Sequence, residues 1–70
     1  MSFELLLGQV ETYDFDRGFG FVRSVDGREW LFHCTEIADG TRRIAVGQRV
    51  AFGVDSAGPG RWEARQLAAV

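Results

Sequence analysis

Residues that favour turns recur along this chain at short, nearly even intervals. They are Asp26-Gly27, Asp39-Gly40, Gly47 and Gly58-Pro59-Gly60. Asp-Gly between two apolar segments is a strong signal for a β-hairpin, and glycine and proline favour further turns. The segments between the turns are short and rich in β-branched and aromatic residues, which favours strands. The spacing therefore predicts a protein built from short strands.

Five strands fit between these turns, at residues 3–13, 18–23, 29–34, 48–55 and 61–68. In the fourth, Val50, Phe52 and Val54 alternate with smaller or polar residues, the period of a half-buried strand. Gly8 predicts a bend or bulge in the first strand, and residues 35–38 predict one helical turn. Closing five short strands into a barrel removes their exposed edges, as in the OB-fold. The predicted fold is all-β, a five-stranded antiparallel OB-type β-barrel.

Length and composition limit the protein to one domain, residues 1–70, with an apolar fraction of 46% that is ample for a core. The longest apolar run, Leu5-Leu6-Leu7, is far too short to span a membrane. The first residues lack the basic start of a signal peptide, and Cys34 is the single cysteine. These features predict a cytoplasmic protein without an internal disulfide.

The segment Arg17-Gly18-Phe19-Gly20-Phe21-Val22 places two phenyl rings one residue apart on a single strand. Alternation puts both rings on one face. Rings on one face can stack nucleobases, because every base has a π-face, or they can simply fill a β core. Across the Asp26-Gly27 turn, Leu31 and His33 share a face of the next strand, within reach of the two rings. Tyr13 is expected to extend this surface from the end of the first strand.

The charges do not by themselves indicate a polyanion-binding protein. All eight basic residues are arginines, and ten acidic residues give a net charge of −2. Nucleic-acid binders usually carry a basic surface, since phosphate neutralisation supplies much of their affinity. Binding would therefore depend on stacking and on a local group of arginines.

The chain resembles the cold-shock domain family along nearly its whole length. The matching segments are Gly8-x-Val10, Tyr13-Asp14, Arg17–Val22, Asp26-Gly27, Leu31–Thr35 with Ile37, Gly47-Gln48-x-Val50-x-Phe52-x-Val54 and Gly58-Pro59. The resemblance implies a five-stranded barrel that binds single-stranded RNA or DNA, as an RNA chaperone or a regulator of gene expression. It implies that Phe19, Phe21 and His33 stack bases and that Arg17 contacts a phosphate. Tyr13 stands where the family usually has a phenylalanine that flanks the site.

Several positions depart from the family pattern. Glu11-Thr12 stands in place of a Lys-Trp pair, and Asp14 replaces an asparagine. Leu31 and Cys34 replace phenylalanines, and Thr41 replaces a loop aromatic. Arg42 and Arg43 can supply phosphate contacts from that loop, or they are ordinary solvated charges.

The sequence favours no enzymatic activity, cofactor or metal site. There is one histidine, and alternation places its neighbour Cys34 on the opposite face, so the two do not suggest a metal site or a nucleophile–base pair. Trp30 is expected in the core with Phe32, and Trp62 at the rim or the end of the barrel.

Another class of function stays open. The barrel could have lost nucleic-acid binding and contact a protein through an apolar patch of Phe19, Phe21, Leu31 and Cys34. The predicted oligomeric state is a monomer or a weak homodimer.

Overall fold

The computed structural model describes residues 5–70. Its strands are β1 (Leu6–Asp14), β2 (Phe19–Ser24), β3 (Glu29–His33), β4 (Arg49–Gly58) and β5 (Arg61–Ala69). A single 3₁₀ turn, Cys34–Glu36, follows β3. All five predicted strands and the short helical turn are present. The first two residues of the predicted first strand, 3 and 4, lie outside the described residues.

The strands close into a barrel in the order β1-β2-β3-β5-β4. Every neighbouring pair is antiparallel except β3 and β5, which are parallel and pair Leu31 with Glu63. The prediction of a wholly antiparallel barrel was wrong in this one respect. Strand directions cannot alternate all the way round a closed ring of five, so one pair must be parallel. The all-β barrel itself is confirmed.

The core fills the barrel with side chains from every strand. Its buried members are Val10, Val22, Phe32, Ile37, Val50, Phe52, Ala64 and Leu67. Val50 and Phe52 are completely buried, as the alternation in β4 predicted. Leu67 also accepts a hydrogen bond from Ala38 through its backbone, which ties the segment after β3 to β5.

The irregularity in β1 is not at Gly8, where the sequence predicted it. Gly8 pairs regularly with Ser24 and with Val50, while the register shifts between Val10 and Thr12. A Cβ at position 8 would lie 2.2 Å from the carbonyl oxygen of Arg23, so glycine here permits close approach of two strands. The bulge therefore falls at Glu11, between Val10 and Thr12.

The two tryptophans sit near each other at the edge of the core. Trp30 is half-buried, packs against the core and donates from Nε1 to Ser24 Oγ at 3.3 Å. Trp62 is 58% exposed, and both indoles line a groove of about 360 Å³ with Leu6, Arg28 and Val54. Trp30 thus enters the core only in part, because its polar nitrogen needs a partner.

Candidate nucleic-acid interface

The outer face of β2 and β3 carries the aromatic surface that the sequence predicted. Phe19 pairs with His33, and Phe21 pairs with Leu31. Between them, Gly20 and Val22 face the barrel interior and are buried. Cross-strand partners lie about 5 Å apart at Cβ. Phe19, Phe21, Leu31 and His33 therefore form one continuous surface, referred to below as the platform.

The platform is open to solvent to different degrees. Phe21 is 38% exposed, and the imidazole of His33 is 52% exposed. Phe19 and Leu31 are half-buried. Neither Phe19 nor Phe21 belongs to the buried core. The alternative interpretation, that these two rings simply fill a β core, is therefore wrong. Exposed rings on a rigid sheet are available for stacking.

Tyr13 does not lie on the platform. It pairs with Gly20, whose position faces inward, and its ring stacks on the buried Phe32 with centroids 5.7 Å apart. The reason is the bulge at Glu11, because one extra residue reverses which side chains of β1 point outward. Thr12 and Asp14, partners of Phe21 and Phe19, occupy the outer positions instead. The placement predicted for Tyr13 was therefore wrong.

His33 has an acidic neighbour on the β5 side of the platform. Its Nε2 lies 3.5 Å from Oε1 of Glu63, a carboxylate that is only 9% exposed. The other carboxylate oxygen lies 3.5 Å from the guanidinium of Arg61. The parallel pairing of β3 with β5 brings Glu63 to this place. Glu63 thus lies beside the imidazole at the platform edge, a neighbour that the sequence did not reveal.

Arg17 lies in the turn that leads into β2, beside a carboxylate. Its guanidinium is 3.6 Å from Asp14, and its side chain is 75% exposed. Asp14 also accepts a hydrogen bond from the Arg17 backbone at 3.1 Å, which stabilises the turn. The exposed guanidinium can reach a phosphate, although Asp14 offsets part of its charge.

Arg42 and Arg43 are brought to the same end of the barrel by the loop between β3 and β4. Within residues 5–70 neither forms a salt bridge. Their guanidinium carbons lie 5.7 and 5.8 Å from the ring centroid of Phe15, which is 51% exposed. Sequence reasoning missed Phe15, because it falls in a turn, where alternation gives no direction for a side chain.

The opposite end of the platform strands is acidic. Arg23 on β2 donates to Glu11 on β1 at 2.8 Å and to Glu29 on β3 at 2.7 Å. Two carboxylates on one guanidinium leave a net charge of −1. The hydrogen bond between the two carboxyl groups raises the pKa of Glu29 and lowers the pKa of Glu11, which Arg23 lowers further. A phosphate is therefore repelled from this end.

As the pH falls, Glu29 is expected to lose its negative charge before Glu11 does, which weakens the repulsion of phosphate from this end of the platform. Because its pKa lies above the ordinary 4.5, Glu29 takes up a proton as the pH falls towards that range, while Glu11 stays ionised. The folded state holds the Glu29 proton more tightly than the unfolded chain, so this protonation favours folding. Stability contributed by Glu11 is lost only as the pH falls through its lowered pKa.

The variant Glu29→Gln should bind an oligonucleotide about two- to threefold more tightly than wild type at pH 7, the size of one screened charge interaction. Wild type should close this gap as the pH falls through the raised pKa of Glu29. Fluorescence anisotropy at each pH measures both. A gap that persists unchanged at the lower pH would contradict the assignment.

Comparison with known proteins matches the sequence of this chain to one family. The profile of the "Cold-shock" DNA-binding domain matches residues 6–70, which include all five strands. The chain belongs to the cold-shock domain family. This family is a non-enzymatic nucleic-acid-binding family.

Proteins similar to this chain include two from bacteria and one from a plant. The chain is 37% identical over 57 residues to "Cold shock-like protein CspB" of Escherichia coli, covering 79% of this chain and 80% of that protein. It is 33% identical over 54 residues to "Cold shock protein 1" of Lactiplantibacillus plantarum, covering 76% and 82%. It is 42% identical over 59 residues to "Glycine-rich protein 2" of Nicotiana sylvestris, covering 81% of this chain but only 28% of the plant protein.

Cys34 and the other candidate ligands of this cold-shock barrel do not form a second site within the described residues. Cys34 packs against the core rather than on the platform, so the apolar patch suggested for a protein contact lacks its fourth member. Over residues 5–70, no three histidine, cysteine or acidic side chains gather closely enough to hold a metal ion, and no helix could cross a membrane.

Proposed function

We propose that this protein binds single-stranded RNA or DNA by stacking bases on Phe19, Phe21 and His33. The observation that carries the proposal is the platform itself, on which Phe19 pairs with His33 and Phe21 with Leu31 on one exposed face. Base–aromatic stacking contributes about 1–3 kcal/mol per base and tolerates any sequence. The platform thus suits an unpaired strand, whose bases can be splayed out, better than a duplex.

Arginine side chains at the basic end of the platform would contact the phosphates of the bound strand. Arg17, Arg42 and Arg43 carry exposed side chains there, while Glu11 and Glu29 neutralise Arg23 at the other end. With at most three phosphate contacts, the slope of log affinity against log salt should be no steeper than about −2, at about −0.7 per contact. Affinity is expected to be weak, in the order of micromolar, since the chain is acidic overall.

The cellular role proposed is that of an RNA chaperone or gene-expression regulator in the cytoplasm, acting as a monomer or weak homodimer. Weak, sequence-tolerant stacking is what a chaperone needs, because it must release each strand that it opens. A reducing cytoplasm also suits a chain with one cysteine. No cofactor takes part in this proposed activity.

Titration of labelled oligo-dT, a mixed-sequence RNA and the matching duplex, each at several salt concentrations, tests the proposal. Saturable binding of the single strands, with little binding of the duplex and a shallow salt slope, is expected. A steep slope, or equal binding of the duplex, would show that charge rather than stacking dominates. Dimerisation that is indifferent to oligonucleotide would instead favour a protein-contact role.

A further inference from the structure

Phe15 lies in the turn between β1 and β2, next to the end of the platform where Phe19 begins β2. Asp14, the last residue of β1, pairs with Phe19, so the next residue along the chain sits beside the start of β2. The Phe15 ring is 51% exposed, more than Phe21 on the platform itself. An exposed phenyl ring in the turn beside the platform strands offers a further stacking surface close to the platform.

Two arginines surround this ring from a distant part of the chain. The guanidinium carbons of Arg42 and Arg43 both lie within 6 Å of the Phe15 centroid, at 5.7 and 5.8 Å. A terminal nitrogen of Arg42 also lies 3.6 Å from where a Cβ of Gly18 would be, so this guanidinium reaches the turn that precedes Phe19. An aromatic ring with adjacent guanidinium groups offers both stacking and phosphate contact to one nucleotide.

The backbone around this cluster is held in place by hydrogen bonds. The Gly18 amide donates to the Asp14 carbonyl at 2.8 Å and closes the turn that carries Phe15. The Tyr13 hydroxyl donates to the Arg42 carbonyl at 2.6 Å and fixes the arginine loop to the end of β1. A site assembled before its ligand arrives loses less entropy on binding.

We propose that Phe15, Arg42 and Arg43 form an additional nucleotide subsite at the basic end of the platform. This proposal rests on the proposed function and names where the bound strand extends. A base stacks on Phe15 and takes the place of one guanidinium, and the two arginines move to the flanking phosphates. Tyr13, which is turned inward, serves this subsite by anchoring the loop rather than by stacking.

The charge distribution predicts the end of the platform at which a longer bound strand makes further contacts. Beyond Phe21 the outer surface continues to Arg23, whose charge is exceeded by those of Glu11 and Glu29. Past Phe19, at the other end, lies the Phe15 turn, where Arg17 offsets part of the charge of Asp14 and Asp16, and beside it lie Arg42 and Arg43, which form no salt bridge within residues 5–70. An additional nucleotide therefore extends the footprint at the Phe15 end and not at the Arg23 end.

Anisotropy titrations of an oligo-dT about seven nucleotides long test the subsite with paired variants. Phe15→Ala should weaken binding about tenfold, within the range for loss of one base–aromatic stack, with little change in salt slope. Phe15→Tyr should retain near wild-type affinity, because it keeps the ring. Arg42→Ala with Arg43→Ala should weaken binding and make the salt slope shallower by about 0.7 per lost phosphate contact.

Arg28→Ala is the matched control for the charge, since Arg28 makes a similar contact with the Trp30 ring, at 4.9 Å, elsewhere on the barrel. It should leave the salt slope nearly unchanged. Full affinity in Phe15→Ala, while Phe21→Ala still weakens binding, would overturn the subsite and leave the proposed function intact. Equal weakening by Phe15→Ala and Phe15→Tyr would also overturn it, because the ring would then not be the binding group. Absence of binding by wild type would overturn both proposals.

Discussion

Replacing Gly20 with alanine is expected to lower the free energy of unfolding by about 3 kcal/mol or more. A Cβ at this position would lie 2.2 Å from the carbonyl oxygen of Thr12 and 3.0 Å from the Phe32 ring. Neither neighbour can yield easily, because one is the backbone of β1 and the other is a fully buried core ring. A chain of 70 residues has a total stability of only about 4–10 kcal/mol. Gly20→Ala should therefore lose much of this stability, and chemical denaturation measures the loss.

Gly27→Asn is the matched control for this substitution. Nothing lies within 4 Å of a Cβ at Gly27, and its φ of 91° is in the left-handed region, which asparagine tolerates better than most residues. Gly27→Asn should lower the free energy of unfolding by only a fraction of the amount lost in Gly20→Ala. Similar losses in both variants would indicate that chain entropy, rather than the close approach of β1 and β2, requires glycine at position 20.

Removing both platform phenylalanines should have the largest effect on binding. Phe21→Ala or Phe19→Ala alone should weaken oligonucleotide binding by about 1–3 kcal/mol, and the double variant should bring affinity below the measurable range. The barrel should stay folded, because neither ring belongs to the buried core and Phe21 is 38% exposed. Circular dichroism and thermal melting check the fold, and anisotropy measures the affinity.

Phe52→Leu provides the opposite control, because Phe52 is completely buried. This change should lower thermal stability and leave the affinity of the folded protein nearly unchanged. If Phe21→Ala lowered stability as much as Phe52→Leu and did not weaken binding, the platform rings would serve as core and the stacking surface would lie elsewhere.

The strands could be predicted from the sequence because their signals are local. Asp26-Gly27 predicted the β2–β3 hairpin, and the alternation of Val50 and Phe52 predicted the inner face of β4. The outer face of β2 and β3 followed by the same alternation, so Phe19, Phe21, Leu31 and His33 were placed together correctly. Each inference needed only the residues of one or two adjacent strands.

Other features depend on contacts that local pattern does not encode. The bulge at Glu11 turned Tyr13 inward, and one extra residue in a strand leaves no clear signature in composition. The contacts of Phe15 with Arg42 and Arg43 join segments separated by 27 and 28 residues, across a turn and a loop. The parallel contact of Leu31 with Glu63 arises only from barrel closure.

Nuclear magnetic resonance of the aromatic side chains during titration with oligo-dT tests the stacking platform most directly. Upfield shifts of the ring protons of Phe19, Phe21 and His33 are expected, since a stacked base shields them, while the buried ring of Phe52 should hardly move. Saturating oligonucleotide that leaves these three rings unshifted, or that shifts exposed groups such as Leu7 and Val25 instead, would contradict the account.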